Sequence, residues 1–418
     1  MAHLIDQVLH PANPTATSRH PATPIHPHAT EDTVTHTKTR ESSDLVAKNL
    51  EQTSAILDDK FASTRKYTTI SGIMKAARHQ MSESIWDYLW TGTSGETTTD
   101  RNSQKFDELL WEVPLFAGLT KPKTETNVLG LDLSFPLFTA PFGQEAVFHP
   151  DGHKAVGRAA QSAGVKQMVP VAASFTLEQI AEASDAAAMF QMSFVGKEEH
   201  CLQMIERAKA AGYKYIIATY SPIRQWRERL LENRFVSRFS SGHDNFDPSL
   251  SNPAPLEELI NFTESRWDWA RVKAFIPQSP LPIVIKGISS AADATAAIDA
   301  GAVGLYVSNY GGRTVDRTLS SIETLPEIRK AAGPDMPIII DSGIRRGGDI
   351  AAALALGANA VAIGRLTGLG LAADGEEGVE AVLDILREEF WMTMGHLGCS
   401  TVTELTPQNF RDASAVGL

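Results

Sequence analysis

Eight short apolar runs in regular succession constrain this chain more than any other feature. They are "PLFTAPF" (136–142), "QMVPVA" (167–172), "AAMFQMSF" (187–194), "YKYIIATY" (213–220), "PIVIKG" (282–287), "AVGLYVSN" (302–309), "MPIIIDSG" (336–343) and "AVAIGR" (360–365). Helical segments such as "GHKAVGRAAQSAG", "SAADATAAIDAG" and "RGGDIAAALALG" separate them, most ending near Gly as a helix C-cap does. The runs are continuously apolar rather than alternating, which implies burial on both faces and so a parallel sheet. Eight such units, without the break that divides a doubly wound sheet, predict a (β/α)8 TIM barrel.

The flanking composition divides the chain further. Residues 1–42 are rich in Pro, Thr and His with few large apolar side chains, and read as a disordered tail. Residues 43–135 form an N-terminal helical extension and cap, ending in "NVLGLDLSFP", a small hairpin. The barrel itself spans 136–405, and 406–418 is a C-terminal tail. Between the fourth and fifth strands a long loop at about 221–266 reads as a mobile lid beside the site.

Composition excludes several partners. A net charge of −12 argues against nucleic acid and anionic membrane surfaces, so an anionic ligand needs a local positive site. Cys201 and Cys399 stand far apart without metal-ligand spacing, so neither a disulfide framework nor a zinc site is expected. Six of the twelve histidines lie in the tail, where nothing fixes a metal geometry, and no metal site is assigned. The chain shows no signal peptide, no transmembrane run and no SKL-type C-terminus, so a cytoplasmic location is expected.

In such a barrel the reacting groups stand where strands end. Those positions hold Gln191 and Ser193, Tyr220, Lys286, Ser308 with Tyr310 and Arg313, Asp341 with Arg345, and Gly364 with Arg365. "DSGIRRGGD" and "AIGRL" combine glycines, arginines and a helix beginning near Arg346 into an anion site suited to a phosphate. The alternative for Arg345 and Arg365 is surface ion pairing. Lys286 ends the apolar "IVIKG", so its ammonium must meet a carboxylate, a carbonyl or an electron-rich ligand, and a structural pair with Asp341 is the plain alternative. Arg313 can grip a carboxylate with two parallel hydrogen bonds, or simply pair with Asp316.

"PIVIKGISSAADATAAIDAGAVGLYVSNYGGRTVD", "IIIDSGIRRGGDIAAALALGANAVAIGR" and "GEEGVEAVLDILREEFWMTMGHLGC" resemble the FMN-dependent α-hydroxy-acid oxidases and dehydrogenases of the glycolate oxidase type. The similarity runs from roughly Tyr88 to Leu405. It implies a barrel that binds FMN and oxidises a small anionic substrate, usually as a homo-oligomer, with oxygen or another acceptor reoxidising it. By position, Lys286 would lie against the flavin N1/O2 edge and Gln191 and Ser308 would contact the isoalloxazine. Asp341, Ser342, Gly343, Arg345, Gly364 and Arg365 would hold ribityl and phosphate. Tyr88, Arg227 and Arg313 would meet the substrate, Arg313 at its carboxylate.

Departures cluster at the proton-handling positions. The family reads His where this chain has Tyr310, so Tyr310 joins Arg313 and Lys286 as a catalytic candidate. Tyr220 replaces the aspartate that would orient that histidine, Ser193 replaces a tyrosine, and Val171 and Ala218 replace hydroxyl residues of the lining. A phenol near pKa 10 is mostly protonated at neutral pH, which costs it about 4 kcal/mol as a base. Three readings follow: oxidation of a 2-hydroxy acid or related anionic alcohol with Tyr310 as base or donor, oxidative decarboxylation or dehydrogenation of a bulkier substrate, and a flavin carrier without turnover. No dinucleotide, hydrolase, zinc-protease or Walker motif competes.

Overall fold

Short polar caps start the N-terminal helices of this computed structural model, which describes residues 65–118, 121–220, 225–235, 245 and 266–411. The Thr69 hydroxyl accepts from the Gly72 amide to begin α1 (Ile70–Gln80), and Ser82 accepts from Ile85 to begin α2 (Glu83–Trp90). Helix α3 (Thr97–Asp107) follows. Next, β1 (Thr126–Val128) and β2 (Leu131–Leu133) pair antiparallel as the hairpin expected from "NVLGLDLSFP". Leu129 and Gly130 both take positive φ in its two-residue turn. The tail, the first part of the helical extension and most of the proposed lid lie outside the described residues.

All eight apolar runs are strands. β3 (Leu137–Thr139), β4 (Lys166–Pro170), β5 (Ala187–Ser193), β6 (Tyr215–Thr219), β7 (Ile283–Ile288), β8 (Gly304–Val307), β9 (Ile338–Ile340) and β10 (Ala360–Ile363) pair in parallel and in sequence order, and β10 closes on β3. The pleat sorts their side chains into two layers. Phe138, Met168, Met189, Ile217, Val284, Tyr306 and Ile339 fill the barrel, with Val128 and Leu133 of the hairpin packed against them as a plug. Residues of the opposite parity, including Leu137, Phe190, Ile216, Leu305 and Ile340, meet the helices outside. The long final helix (Arg365–His396) bends where Asp374 and Gly375 leave helical geometry. Among the described residues no helix is long and apolar enough to cross a membrane.

Candidate active site

A row of strand partners builds the floor of the barrel mouth. Ser193, Thr219, Lys286 and Tyr306 are consecutive neighbours in register across β5 to β8. Gln191 donates to the Thr219 hydroxyl at 2.8 Å, and the Ser193 and Thr219 hydroxyls lie 3.2 Å apart. The buried Lys286 Nζ donates to Ser308 Oγ and to Asp341 Oδ2, both at 2.7 Å. The pairing with Asp341 weighed from the sequence is therefore present, inside the mouth rather than apart from it. Burial pulls the Lys286 pKa down, and the Asp341 carboxylate opposes that pull.

Tyr310, Gly311 and Gly312 take three successive left-handed conformations, with φ of 57°, 66° and 74°. Glycine suits the last two because a Cβ on Gly311 would lie 2.9 Å from Arg365 Nη1, and one on Gly312 2.4 Å from Thr99 Oγ1. N-terminal elements fix the turn: Thr93 and Thr99 donate to the Gly312 and Gly311 carbonyls, and the Asn102 and Asn309 side-chain amides bond reciprocally. The Tyr310 hydroxyl donates towards the Tyr220 carbonyl at 3.2 Å and the Lys286 carbonyl at 3.4 Å. Tyr220 itself is half exposed, and its hydroxyl accepts from Arg266 at 3.2 Å.

Three guanidinium groups converge on the C-terminal end of α2. Arg227 donates to the carbonyls of Asp87 and Tyr88 and to Thr91 Oγ1, Arg313 donates to the Tyr88 carbonyl at 2.7 Å, and Arg365 donates to Leu89, Thr91 and Gly311. Cations suit this end of a helix, where carbonyl dipoles accumulate negative potential. Arg313 and Arg227 also lie over the Tyr88 ring, at 5.2 and 5.5 Å from its centroid. Phe235 stacks on that ring at 4.7 Å, and the Tyr88 hydroxyl reaches the Gly143 carbonyl at 3.1 Å. Asp316, the alternative partner of Arg313, accepts the Thr98 amide at 2.8 Å.

The ends of β9 and β10 complete the rim. Ser342, left-handed at φ 77°, donates to Asp341 Oδ1 and accepts from the Gly311 amide, joining two loops. Gly343 is required by contact: a Cβ there would fall 2.1 Å from the Asn102 carbonyl oxygen. Arg345 and Arg365 are half-buried in the rim rather than paired on the open surface, and Arg345 lies over the Trp90 ring at 5.2 Å. Burial foremost, then the charges of Arg345, Arg313 and Arg227, drives the Arg365 pKa well down from the ordinary arginine range. So many cations gathered in one cleft call for an anion.

The helix after β9 departs from what "DSGIRRGGD" led one to expect. The helix beginning near Arg346 does not offer its N-terminus to a ligand, because Asp349 accepts the Arg345 and Arg346 amides and Glu389 accepts that of Gly347. Burial raises the Asp349 carboxyl to about 6, against those amide bonds. The final helix differs: its N-cap, Gly364, makes no side-chain capping bond, and a Cβ there would meet nothing nearer than Ala140 Cβ at 3.7 Å. The open helix terminus is thus the one after β10.

Tyr88, Gln191, Arg227, Lys286, Ser308, Tyr310, Arg313, Asp341, Ser342, Gly343, Arg345, Gly364 and Arg365 all belong to this rim or the loops that build it. Val171 and Ala218 do not line it, since both pack in the helix-facing layer. The fourth strand therefore keeps a hydroxyl at the mouth, on Thr219, one residue beyond Ala218. Thr219, Thr91, Asn102 and Tyr306 were missed by the sequence reading. For Thr219 and Tyr306 a signal existed, because each is two residues beyond an inward-facing strand position.

Residues 77–412 match the sequence model of the FMN-dependent dehydrogenases. Glycolate oxidase 1 of Oryza sativa subsp. indica is 34% identical over 348 residues, covering 81% of this chain and 94% of that one. The peroxisomal (S)-2-hydroxyacid oxidase GLO3 of Arabidopsis thaliana is 31% identical, covering 82% and 96%. Among solved structures, a chimera of (S)-mandelate dehydrogenase superimposes with a TM-score of 0.76 at 30% identity over 82% of this chain and 99% of its own. Mandelate oxidase does so at 0.73 and 32% over 81% and 96%. On fold, coverage and identity together, the chain belongs to the FMN-dependent dehydrogenase family of 2-hydroxy-acid oxidases and dehydrogenases.

Proposed function

We propose that this chain oxidises a 2-hydroxy acid or related anionic alcohol over FMN. The observation that carries the reading is the convergence of Lys286, Arg227, Arg313, Arg345 and Arg365 on one barrel mouth. The cradle suits the cofactor: an uncapped helix terminus at Gly364, left-handed glycines at Gly311 and Gly343, and half-buried guanidinium groups crowded against one another. Gly364, Arg365 and Arg345 would hold its phosphate, Asp341, Ser342 and Gly343 its ribityl chain, and Gln191, Ser308 and Lys286 its ring. Bound FMN supplies the acceptor for the substrate hydride, at N5.

The chain's own groups do the rest. Arg313 and Arg227 flank Tyr88 and present donors to a carboxylate lying beside its ring. Tyr310 stands where the family carries the histidine that takes the α-hydroxyl proton. Its hydroxyl donates towards two backbone carbonyls, which fixes a protonated phenol beside the site where the substrate hydroxyl would lie. That supports an orienting role for the neutral phenol over a resting base. A bulkier substrate is the second reading, favoured by the small Ser193 at the end of β5. A cytoplasmic, homo-oligomeric enzyme is part of the proposal; both cysteines are buried and neither forms a disulfide. Anaerobic mixing of the FMN-loaded protein with a panel of 2-hydroxy acids tests it: bleaching of the flavin by at least one is expected, and none across aliphatic and aromatic acids refutes it.

A further inference from the structure

The Lys286 ammonium sits between two tyrosine faces, 4.0 Å from the ring centroid of Tyr306 and 4.9 Å from that of Tyr310. The pleat accounts for the first contact, because Lys286 and Tyr306 are register partners on β7 and β8 and both turn into the barrel. The turn accounts for the second. Tyr310 is brought over by its left-handed backbone, and its hydroxyl is anchored towards the Lys286 carbonyl. Gly287 makes room for it, since a Cβ there would lie 2.5 Å from the phenol oxygen.

The Tyr306 hydroxyl is buried and makes no hydrogen bond of ordinary geometry, with the Asp341 carboxylate close by. Asp341 acts on it electrostatically: burial first, then that carboxylate, drives the phenol well above its usual range. Asp341 spends its bonds on Lys286 and Ser342 instead. The ring is what this position uses. A π face attracts a cation most where water is excluded, and Lys286 is buried.

We propose that Tyr306 and Tyr310 are positioning residues that clamp the Lys286 ammonium between their ring faces, so that a buried lysine stays charged and aimed into the barrel mouth. The consequence for the cofactor rests on the flavin reading above: a charged Lys286 favours reduced FMN over oxidised FMN, and weakening either face lowers that preference.

Fluorinated phenylalanines at position 306 test this in the FMN-loaded protein, since each fluorine drains the ring face with little change in volume. From Phe to the trifluoro ring, the ratio of affinities for reduced and oxidised FMN should fall about tenfold, a drop of about 30 mV for a two-electron couple. Tyr306→Phe should keep the wild-type potential, and Tyr310→Leu should lower it. A potential independent of fluorination overturns the clamp. Lys286→Met separates the two levels: a lowered potential there with a flat fluorine series refutes the clamp alone, whereas an unchanged potential in Lys286→Met refutes the flavin reading and the clamp with it.

Discussion

The hydroxyl of Tyr310 lies 3.2 Å from the carbonyl oxygen of Tyr220, so the phenol in the turn after β8 is tied to the main chain at the end of β6. The acceptor is a main-chain carbonyl, so the phenol hydrogen has a neutral partner. Tyr310→Phe should lower turnover about tenfold, the worth of one orienting hydrogen bond. Steady-state kinetics decide the matter. A loss of about 10³-fold or more would mean that the phenol itself takes the proton, and full activity would make it a spectator.

In the proposed function Arg313 binds the substrate carboxylate and takes no part in holding the phosphate. Arg313→Ala should leave a yellow protein whose kcat/KM falls by about 10³-fold, the scale of losing a partner to a desolvated charge. Arg313→Lys should restore little, because an ammonium cannot make the paired bonds of a guanidinium. Flavin content by absorbance, measured beside the kinetics, separates lost substrate binding from lost cofactor.

The crowding of Arg365 by Arg345, Arg313 and Arg227 predicts an anion-dependent stability of the FMN-free protein. Inorganic phosphate, at ionic strength matched with sodium chloride, should stabilise it by about 2–3 kcal/mol at a hundred times its dissociation constant. Arg365→Met should abolish that response and weaken FMN binding. Thermal melts with and without phosphate provide the check.

Asp349 gives a pH dependence with a definite sign. Its carboxyl is raised by burial to about 6 in the folded chain from an ordinary 3.8, so its contribution is full below the unfolded value and is lost as pH rises through about 6. Asp349→Asn removes that loss. The variant should therefore gain on the wild type by about 2–3 kcal/mol between pH 4 and pH 7.5, measured by denaturant unfolding of the FMN-free proteins.

The eight strands were legible because each run is continuously apolar and ends in punctuation, and the barrel followed from their number. The cationic rim was legible because strand ends carry function in this architecture. What escaped depends on contacts far apart in sequence. Closure of the Arg346 helix by Glu389 joins positions 42 residues apart, and no local pattern announces it. The misassignment on the fourth strand is a matter of parity: in "IIATY" a shift of one residue decides whether Ala218 or Thr219 faces the mouth, and only pairing with β5 and β7 fixes it. Tyr306 lies inside the apolar run "AVGLYVSN", yet its register with Lys286 makes it part of the site.

The most direct test of the central claim is the absorbance of the purified chain, reconstituted with FMN and mixed anaerobically with 2-hydroxy acids, beside Arg313→Ala treated identically. The account predicts a yellow wild type that bleaches with at least one acid and a yellow Arg313→Ala that does not. A colourless protein that cannot be loaded with FMN would contradict it outright.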